Sequence, residues 1–271
     1  MTALTLRLRE SPPVSIDAST LSPPRLAGLT RARIEALELE LGNRSVRVGE
    51  LFDVSGDDWD NVVVENATER LMHLGAGMET GTLEVHGDAG AYLGSGMRAG
   101  RISVSGNAGI FAGCEMESGT IEIGGNVGDW LGAALPGNKQ GMRGGFIHVR
   151  GHAGDRVADR MRRGVVLIER NAGAYLGSCM LAGTVIVKGG IGPQPGFGLK
   201  RGTLLLLGES RLPETFNDCG RHELLFLTLL ERELRARGGL EALLPLPRCV
   251  RRYCGDLATG GKGEILLDAA R

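Results

Sequence analysis

The middle of the chain, from about Val62 to Leu207, repeats one pattern of apolar and polar positions every 19 residues. Each unit opens on glycine and continues with two aliphatic residues separated by one other residue, as in GTLEV and GTIEI. This alternation predicts a short β-strand with one buried face. A glycine-rich corner of the type GNAG follows each strand. The regular units begin at Gly81, Gly100, Gly119, Gly145, Gly164 and Gly183, after a degenerate unit at 62–80 and before a last strand at Gly202.

Six of the eight methionines occupy a single repeat position: Met78, Met97, Met116, Met142, Met161 and Met180. Their one irregular spacing is a unit plus a seven-residue insertion around ALPGNKQG. One unit cannot bury its apolar face alone, so the units must stack. The pattern predicts a mainly β fold, a right-handed parallel β-helix solenoid of 19-residue coils. A helical solenoid is disfavoured by the glycine content, and the spacing of leucine-rich repeats is absent.

The flanking segments lack the repeat, and three regions follow: an N-terminal cap at 1–61, the β-helix repeat domain at 62–207, and a C-terminal α-helix plus glycine-rich tail at 208–271. Within the cap, residues 26–41 fit a helix or a strand. In the last region, the pattern from Arg221 to about Leu244 predicts an amphipathic helix that breaks at Gly238-Gly239. Its apolar face would comprise Leu224, Phe226, Leu227, Leu230 and Leu234.

Composition narrows the classes of function. Glycine is unusually abundant, with 44 of 271 residues, and the net charge of −1 favours neither nucleic acid nor an anionic membrane surface. No stretch approaches 18 consecutive apolar residues, so no transmembrane helix is expected. Five scattered cysteines are typical of a reduced protein, and a cytoplasmic location is expected. The excess of arginine over lysine is common in proteins of GC-rich bacteria.

The usual catalytic constellations are absent from the sequence, so no catalytic residue and no metal ligand are predicted. Cys249 and Cys254 resemble half of a metal site but lack a second pair. His148 and His152 would not share a face in a strand and corner. The tail GDLATGGKG resembles a phosphate loop but has glycine where magnesium binding needs serine or threonine. A loop that closes the cap or docks a partner is favoured instead.

The coil at 145–163 is the most irregular. It carries Arg156 at the position where other coils have Tyr92, Phe111, Trp130 and Tyr175, and it also contains further arginines. These arginines are either a solvated surface paired with aspartates of the same coil or a patch that binds carboxylates of a partner or polyanionic ligand. The candidate binding residues are Arg150, Arg156, Arg160, Arg162 and Arg163. The candidate partner-docking residues of the tail are Arg252, Asp256 and Lys262.

The units GDAGAYLGSGM, GNAGIFAGCEM and RNAGAYLGSCM resemble the glycine-rich β-helix repeat shared by the glutamate synthase C-terminal domain and the C subunit of formylmethanofuran dehydrogenase. The length of the chain and its ending RRYCGDLATGGKGEI are similar to that C subunit, and the arginine bias favours its bacterial relative in the formyltransferase/hydrolase complex. The resemblance implies that the complex moves a formyl group from formyl-tetrahydromethanopterin to methanofuran or methylofuran and releases formate.

The same resemblance implies a non-catalytic scaffold subunit. Its expected partners are an amidohydrolase-like subunit, a formyltransferase subunit and a further formylmethanofuran-dehydrogenase-like subunit. The chain itself is expected to bind no cofactor, although the arginine patch would attract the polyglutamyl tail of the furan cofactor. The alternative is a glutamate-synthase-type subunit that spaces amidotransferase active sites. A polysaccharide-cleaving β-helix enzyme is disfavoured, because the strands lack clustered Asp and Arg.

Overall fold

A computed structural model of the chain describes residues 2–238 and 244–269. These residues form seventeen strands, four α-helices and a short 3-10 helix at Leu257–Thr259. The strands are β1 (Ala3–Leu8), β2 (Ile16–Asp17), β3 (Glu38–Leu41), β4 (Arg44–Arg47), β5 (Phe52–Ser55), β6 (Asp58–Ala67), β7 (Leu71–Met72), β8 (Thr82–Gly87), β9 (Arg101–Val104), β10 (Thr120–Ile123), β11 (Arg143–Val149), β12 (Arg163–Ile168), β13 (Thr184–Val187), β14 (Thr203–Leu206), β15 (Asn217–Glu223), β16 (Cys249–Gly255) and β17 (Gly263–Asp268). The helices are α1 (Pro23–Leu26), α2 (Arg31–Glu35), α3 (Val48–Leu51) and α4 (Leu225–Arg237).

One sheet of 13 strands dominates the molecule, in the order β15-β16-β17-β14-β13-β12-β11-β10-β9-β8-β6-β1-β5. From β6 and β8 to β14 the neighbouring strands are parallel, and residues at the same repeat position face each other. Ile121, for example, is in register with Ile102 on one side and Ile147 on the other. The prediction of a mainly β fold is confirmed in the form of a large, mostly parallel sheet with few helices.

The units also contact each other at their corners. Isolated parallel bridges connect Ala89, Ala108, Val127, Ala153, Ala172 and Ile191 in succession. Beneath them the six methionines of the repeat are all buried. Their methyl groups fill the space beside the opening glycines: a side chain at Gly164, where φ is +101°, would lie 2.7 Å from the Cε of Met142. Glycine is therefore required there by both backbone conformation and packing.

The N-terminal segment extends the same sheet. Strand β1 lies parallel to β6 and antiparallel to β5, so β1 is an internal strand of the sheet. A second sheet of four short strands, in the order β4-β3-β2-β7, lies beside it. The segment at 26–41, expected to be one helix or one strand, is divided: α1 ends at Leu26, α2 occupies Arg31–Glu35 and β3 follows at Glu38–Leu41. The side chain of Thr30 caps the N-terminus of α2.

The C-terminal segment differs from its prediction at the start of the helix. Residues 221–223 belong to β15, because their backbone pairs with β16, and α4 begins only at Leu225. The helix ends at Arg237 with Gly238 as its C-cap, which agrees with the predicted break, while the predicted helical residues 239–243 lie outside the described residues. The glycine-rich tail ends in β17, which continues the parallel stack next to β14.

Helix α4 lies on the outer face of the second half of the sheet. Leu227, Leu230 and Leu234 are buried against apolar side chains that point outward from five strands, namely Phe146, Leu167, Ile186, Leu205 and Leu266. Phe226, expected on this apolar face, is 40% exposed. The helix thus forms a second apolar cluster, separate from the core inside the stack.

Candidate functional site

A shallow groove of about 550 Å³ combines five basic side chains: Arg162, Arg163, Lys200, Arg201 and Lys262. All five are exposed, and Leu181, Ala182 and Gly260 complete the lining. None of the five forms an ion pair with a carboxylate in the part of the chain that the structure describes. Five unpaired cations in one groove repel each other, and an anionic ligand or surface would relieve that repulsion.

The repeat itself creates this groove. Arg162 and Arg163 are the last two residues of their unit, and Lys200 and Arg201 are the last two residues of the unit two steps later. Stacking in register places equal repeat positions on one line, with Leu181 and Ala182 between the two basic pairs. The sequence prediction missed the second pair, although alignment of the units would have identified it.

Lys262 reaches the groove because the tail loop is tied to the last regular unit. The amide of Lys262 donates to the carbonyl of Lys200 at 2.8 Å, and the amide of Asp256 donates to the carbonyl of Leu199 at 3.2 Å. The ammonium of Lys200 in turn donates to the carbonyl of Thr259 at 3.5 Å. The amide of Gly261 also donates to the carbonyl of Asp256. These amides of the glycine-rich loop are therefore occupied by hydrogen bonds within the chain.

Asp256 anchors this loop from inside. It is only 4% exposed, and its carboxylate accepts hydrogen bonds from the amides of Gly198 and Ala258, each at 3.0 Å. Burial by itself raises the pKa of Asp256, but the hydrogen bonds from Thr215 and the two amides, together with the charge of Lys200, bring it below its ordinary value. Asp256 is thus an ionised residue with internal partners, and its contacts hold the loop that carries Lys262.

Two further candidates of the coil at 145–163 have surroundings outside the groove. Arg160 forms an ion pair with the buried carboxylate of Asp159 at 3.2 Å, and the hydroxyl of Ser178 donates to the same carboxylate at 2.5 Å. Arg150 follows the C-terminal end of β11, whereas Arg163 is in register with Arg143 at the other end of that strand. A strand of this length separates the two ends by about 20 Å, so Arg150 does not join the groove.

Arg156 does not interrupt the aromatic ladder. Its guanidinium lies 5.0 Å from the ring centre of Trp130 and 4.7 Å from that of Tyr175, on the two sides of the stack. A planar cation between two aromatic faces continues a column of stacked rings, because it replaces a ring in shape and is attracted to both faces. The other members of the column are His73, Tyr92 and Phe111, which stack in parallel with Trp130.

Arg252 lies outside the groove. It is located on β16 and forms an ion pair with Glu264 of the neighbouring β17 at 2.7 Å. Cys249 and Cys254, considered as half of a metal site, lie at opposite ends of β16, where they are in register with Glu223 and Asn217. Within residues 2–238 and 244–269, no cluster of three or more His, Cys, Asp or Glu side chains is arranged to hold a metal ion.

The exposed side of α4 is a second distinctive surface. Leu225 and Leu229 are 73% and 58% exposed, and Phe226 lies beside them. Large apolar side chains clustered on one exposed helix face are typical of surfaces that contact another protein. None of the helices in the described ranges is long and apolar enough to cross a membrane.

Comparison with known proteins identifies a matching family and several relatives of this chain. Residues 45–233 match the GXGXG motif family. Over 86 residues the chain is 41% identical to the C subunit of the formyltransferase/hydrolase complex Fhc from Methylorubrum extorquens, an alignment that covers 32% of each chain. Over 94 residues it is 30% identical to the C subunit of the tungsten-containing formylmethanofuran dehydrogenase 2 of Methanococcus maripaludis, covering 34% of this chain and 35% of the relative. The chain therefore spans about a third of the length of the curated relatives that it matches.

The structural match is much more extensive. A chain in the crystal structure of the formyltransferase/hydrolase complex FhcABCD from Methylorubrum extorquens, in complex with methylofuran, superposes with a TM-score of 0.92 and 40% sequence identity. The match covers 98% of this chain and 99% of that one. This coverage includes the repeat, the segments that flank it and the C-terminal helix. The chain belongs to the family of formylmethanofuran dehydrogenase C subunits.

Proposed function

We propose that this chain is the non-catalytic scaffold subunit of a formyltransferase/hydrolase complex. The complex would transfer a formyl group from formyl-tetrahydromethanopterin to methanofuran or methylofuran and release formate. The observation that carries this proposal is the near-complete match, at 40% identity, to a chain of the FhcABCD complex. These relatives favour this hypothesis over a glutamate-synthase-type spacer.

The scaffold would be a right-handed parallel β-helix. Seven consecutive strands, β8 to β14, pair in parallel at the same repeat positions, and the corner bridges repeat with the same register. In this interpretation residues 1–61 cap one end, residues 62–207 form the coils, and residues 208–271 cover the other end and one flank. The parallel pairing of β17 with β14 supports a role for the last region in closing the stack.

Two surfaces would carry the assembly. The exposed apolar residues of α4 are suited to dock the amidohydrolase-like subunit, since Leu225 and Leu229 have no cover within the described part of the chain. The formyltransferase subunit and a further formylmethanofuran-dehydrogenase-like subunit would complete the complex. Their contacts on this chain would involve the flanks of the stack and the tail with Arg252.

The basic groove would hold a polycarboxylate, in the first place the polyglutamyl tail of the furan cofactor. Arg162, Arg163, Lys200, Arg201 and Lys262 supply five cations without a competing carboxylate in the lining. Arginine binds carboxylates with two parallel hydrogen bonds, and lysine adds a mobile point charge. The reaction centres would lie on the partner subunits, and this chain would contribute binding and position.

Co-expression with the candidate partners tests the scaffold role. Wild-type chain should co-purify with the amidohydrolase-like and formyltransferase subunits, and Leu225→Asp combined with Leu229→Asp should abolish the first association while the chain remains folded by circular dichroism. Exposed polar Thr228→Asp on the same helix is the matched control. Co-purification that is unchanged in the double variant would contradict the assigned docking face.

Kinetics of the assembled complex test the groove. The variant Arg162→Gln/Arg163→Gln/Lys262→Gln should raise the KM for the formyl carrier about tenfold or more, because each lost charge-assisted contact contributes on the order of 1 kcal/mol. It should also weaken the dependence of KM on salt. Arg98→Gln, a neutralisation outside the groove, should change neither quantity. An unchanged KM in the triple variant would rule out the groove as the binding site of the carrier.

A further inference from the structure

Two of the five cysteines lie together on the outer edge of the large sheet. Strand β15 is the terminal strand, and it pairs with β16 through Asn217 with Cys254 and Asp218 with Tyr253. A bulge follows, so that Cys219 and Gly220 together oppose Arg252 before pairing resumes at Arg221 with Arg251. Cys219 therefore lies diagonally across from Cys254, at the separation where side chains of neighbouring strands meet.

The strand register and the bulge bring the two thiols close together at the edge of the sheet. The Sγ of Cys219 lies 3.5 Å from the carbonyl oxygen of Asn217, the residue in register with Cys254. Burial and, after it, the neighbouring thiol of Cys219 raise the pKa of Cys254. Cys219 is exposed, whereas Cys254 is half-buried. The guanidinium of Arg252 is close enough to interact electrostatically with both sulfur atoms. For Cys254 this cation opposes the effect of burial on the pKa of the thiol, and exchange with a disulfide proceeds through the thiolate.

We propose that Cys219 and Cys254 form a reactive thiol pair that closes to an intrachain disulfide by exchange with a low-molecular-weight disulfide. This modification site is separate from the groove and from the docking face of α4, and it does not depend on the scaffold role. The remaining cysteines have different surroundings. Cys114 is completely buried, and that burial raises the pKa of its thiol to about 11.

The exchange takes place in two steps. The thiolate of exposed Cys219 attacks one sulfur of the small disulfide, which releases one equivalent of thiol and leaves a mixed disulfide on Cys219. The thiolate of Cys254 then attacks the sulfur of Cys219 and releases the second equivalent. The two protein thiols are oxidised, the small disulfide is reduced to two thiols, and the two protons pass to the released thiols. Burial raises the pKa of Cys254, which suits the second, intramolecular step better than the first.

Closure would covalently fix the edge of the sheet. The loop between the two cysteines contains α4, whose exposed apolar residues lie between β15 and β16 in sequence. A bond from Cys219 to Cys254 would hold β15 against β16 and reduce the opening of the edge strand. Amide hydrogens of β15 should then exchange more slowly in the oxidised chain than in the reduced chain.

The test uses the full-length, folded chain, incubated with oxidised glutathione, alkylated at its free thiols and digested. The expected product is a disulfide-linked peptide pair containing Cys219 and Cys254, with the loss of two hydrogen masses from the protein and no retained glutathione. Cys249→Ser is the matched control, since Cys249 lies on the same strand but is in register with Glu223. This variant should form the same bond at an unchanged rate.

Cys254→Ser tests the order of the steps. In this variant the mixed disulfide of glutathione with Cys219 should persist and decay at least roughly tenfold more slowly than in the wild type, because the intramolecular thiol has been removed. In denaturant the wild-type chain should lose its selectivity and form other pairs as well. The proposal is overturned if the folded wild type accumulates stable glutathione adducts, or if Cys219 pairs equally with another cysteine.

Discussion

The two halves of the large sheet have the same inner face and different outer faces. In β8, β9 and β10 the central outward residues are Glu84, Ser103 and Glu122, and all three are at least partly exposed. In β12, β13 and β14 the residues at the same repeat position are Leu167, Ile186 and Leu205, and all three are fully buried. The inward residues on either side remain aliphatic in both halves.

This difference shows that the core of the stacked strands and the packing of α4 on their outer face are specified by separate positions of the repeat. The inward positions and the methionines build the core, which is continuous through both halves. The outward position determines whether another element packs on the sheet, and in the second half that element is α4. His148 lies at the boundary: it is an outward residue that is 3% exposed and contacts Glu169 at 2.7 Å.

The largest effect on the free energy of unfolding is expected where α4 packs on the sheet. Leu205→Ala should lower the free energy of unfolding by about 3 kcal/mol, because it leaves a cavity beneath α4 in a closely packed cluster. Glu84→Ala changes the same repeat position in the open half and should cost at most about 0.5 kcal/mol. Urea denaturation followed by circular dichroism measures both. Equal effects in the two variants would show that the outer face does not distinguish the halves.

Much of the stack could be predicted from the sequence, because its period is strict and its buried positions are local. The six methionines and the alternating aliphatic residues identify the repeat units and the register of their strands without knowledge of the rest of the chain. The position of α4 was predicted less well. The sequence predicts a helix start at Arg221, but residues 221–223 pair with β16. Their own sequence does not distinguish a strand from the first turn of a helix, because the partner strand is distant in the chain. Glu84 and Leu205 occupy the same repeat position, and the change from a charged to an apolar residue along the sheet indicates where α4 packs.

The candidate site was predicted in part for a similar reason. The groove is lined by Arg162, Arg163 and Lys262. The sequence prediction groups the two arginines with Arg150 and Arg160, which are near them in sequence but do not line the groove, and it assigns Lys262 to the tail. Equal repeat positions of neighbouring units are 19 residues apart, and Lys200 and Arg201, two units after Arg162 and Arg163, line the same groove. The tail loop reaches the groove because Asp256 holds it in place. Asp256 lies outside the repeat, so the repeat pattern does not predict its buried hydrogen bonds.

Arg156 provides the next prediction, at the boundary between the halves. Arg156→Ala should lower the free energy of unfolding by about 1 to 2 kcal/mol, since the guanidinium loses two aromatic faces, those of Trp130 and Tyr175. Arg156→Tyr should recover most of this loss, because φ at Arg156 is +57° and tyrosine already occupies this conformation at Tyr175, where φ is +58°.

The control for this pair is Arg150→Ala, an exposed arginine of the same coil, with an expected change below about 0.5 kcal/mol. Fluorescence of Trp130 reports on the stack directly, although Trp59 contributes a constant background. A loss in Arg156→Tyr as large as that in Arg156→Ala would mean that the positive charge, and not the planar stacking group, is what the column requires at this position.

The smallest effect concerns the polar column at the corners, where one side chain per unit accepts a hydrogen bond from the next unit. The Oδ1 atom of Asn126 accepts from the amide of His152 at 2.8 Å, whereas Nδ1 of His152 accepts from the amide of Asn171 at a longer 3.3 Å. His152→Asn should therefore stabilise the fold by about 0.5 kcal/mol, by shortening one bond in a column that asparagine otherwise maintains.

The reverse substitution, Asn126→His, places the imidazole in the half that α4 leaves open and should cost a similar amount. Thermal unfolding of His152→Asn and Asn126→His, each compared with the wild type, measures the two effects. If Asn126→His were neutral while His152→Asn stabilised, the column would tolerate imidazole in the open half and not at the boundary, and the difference between the halves would extend from the outer face to the corners.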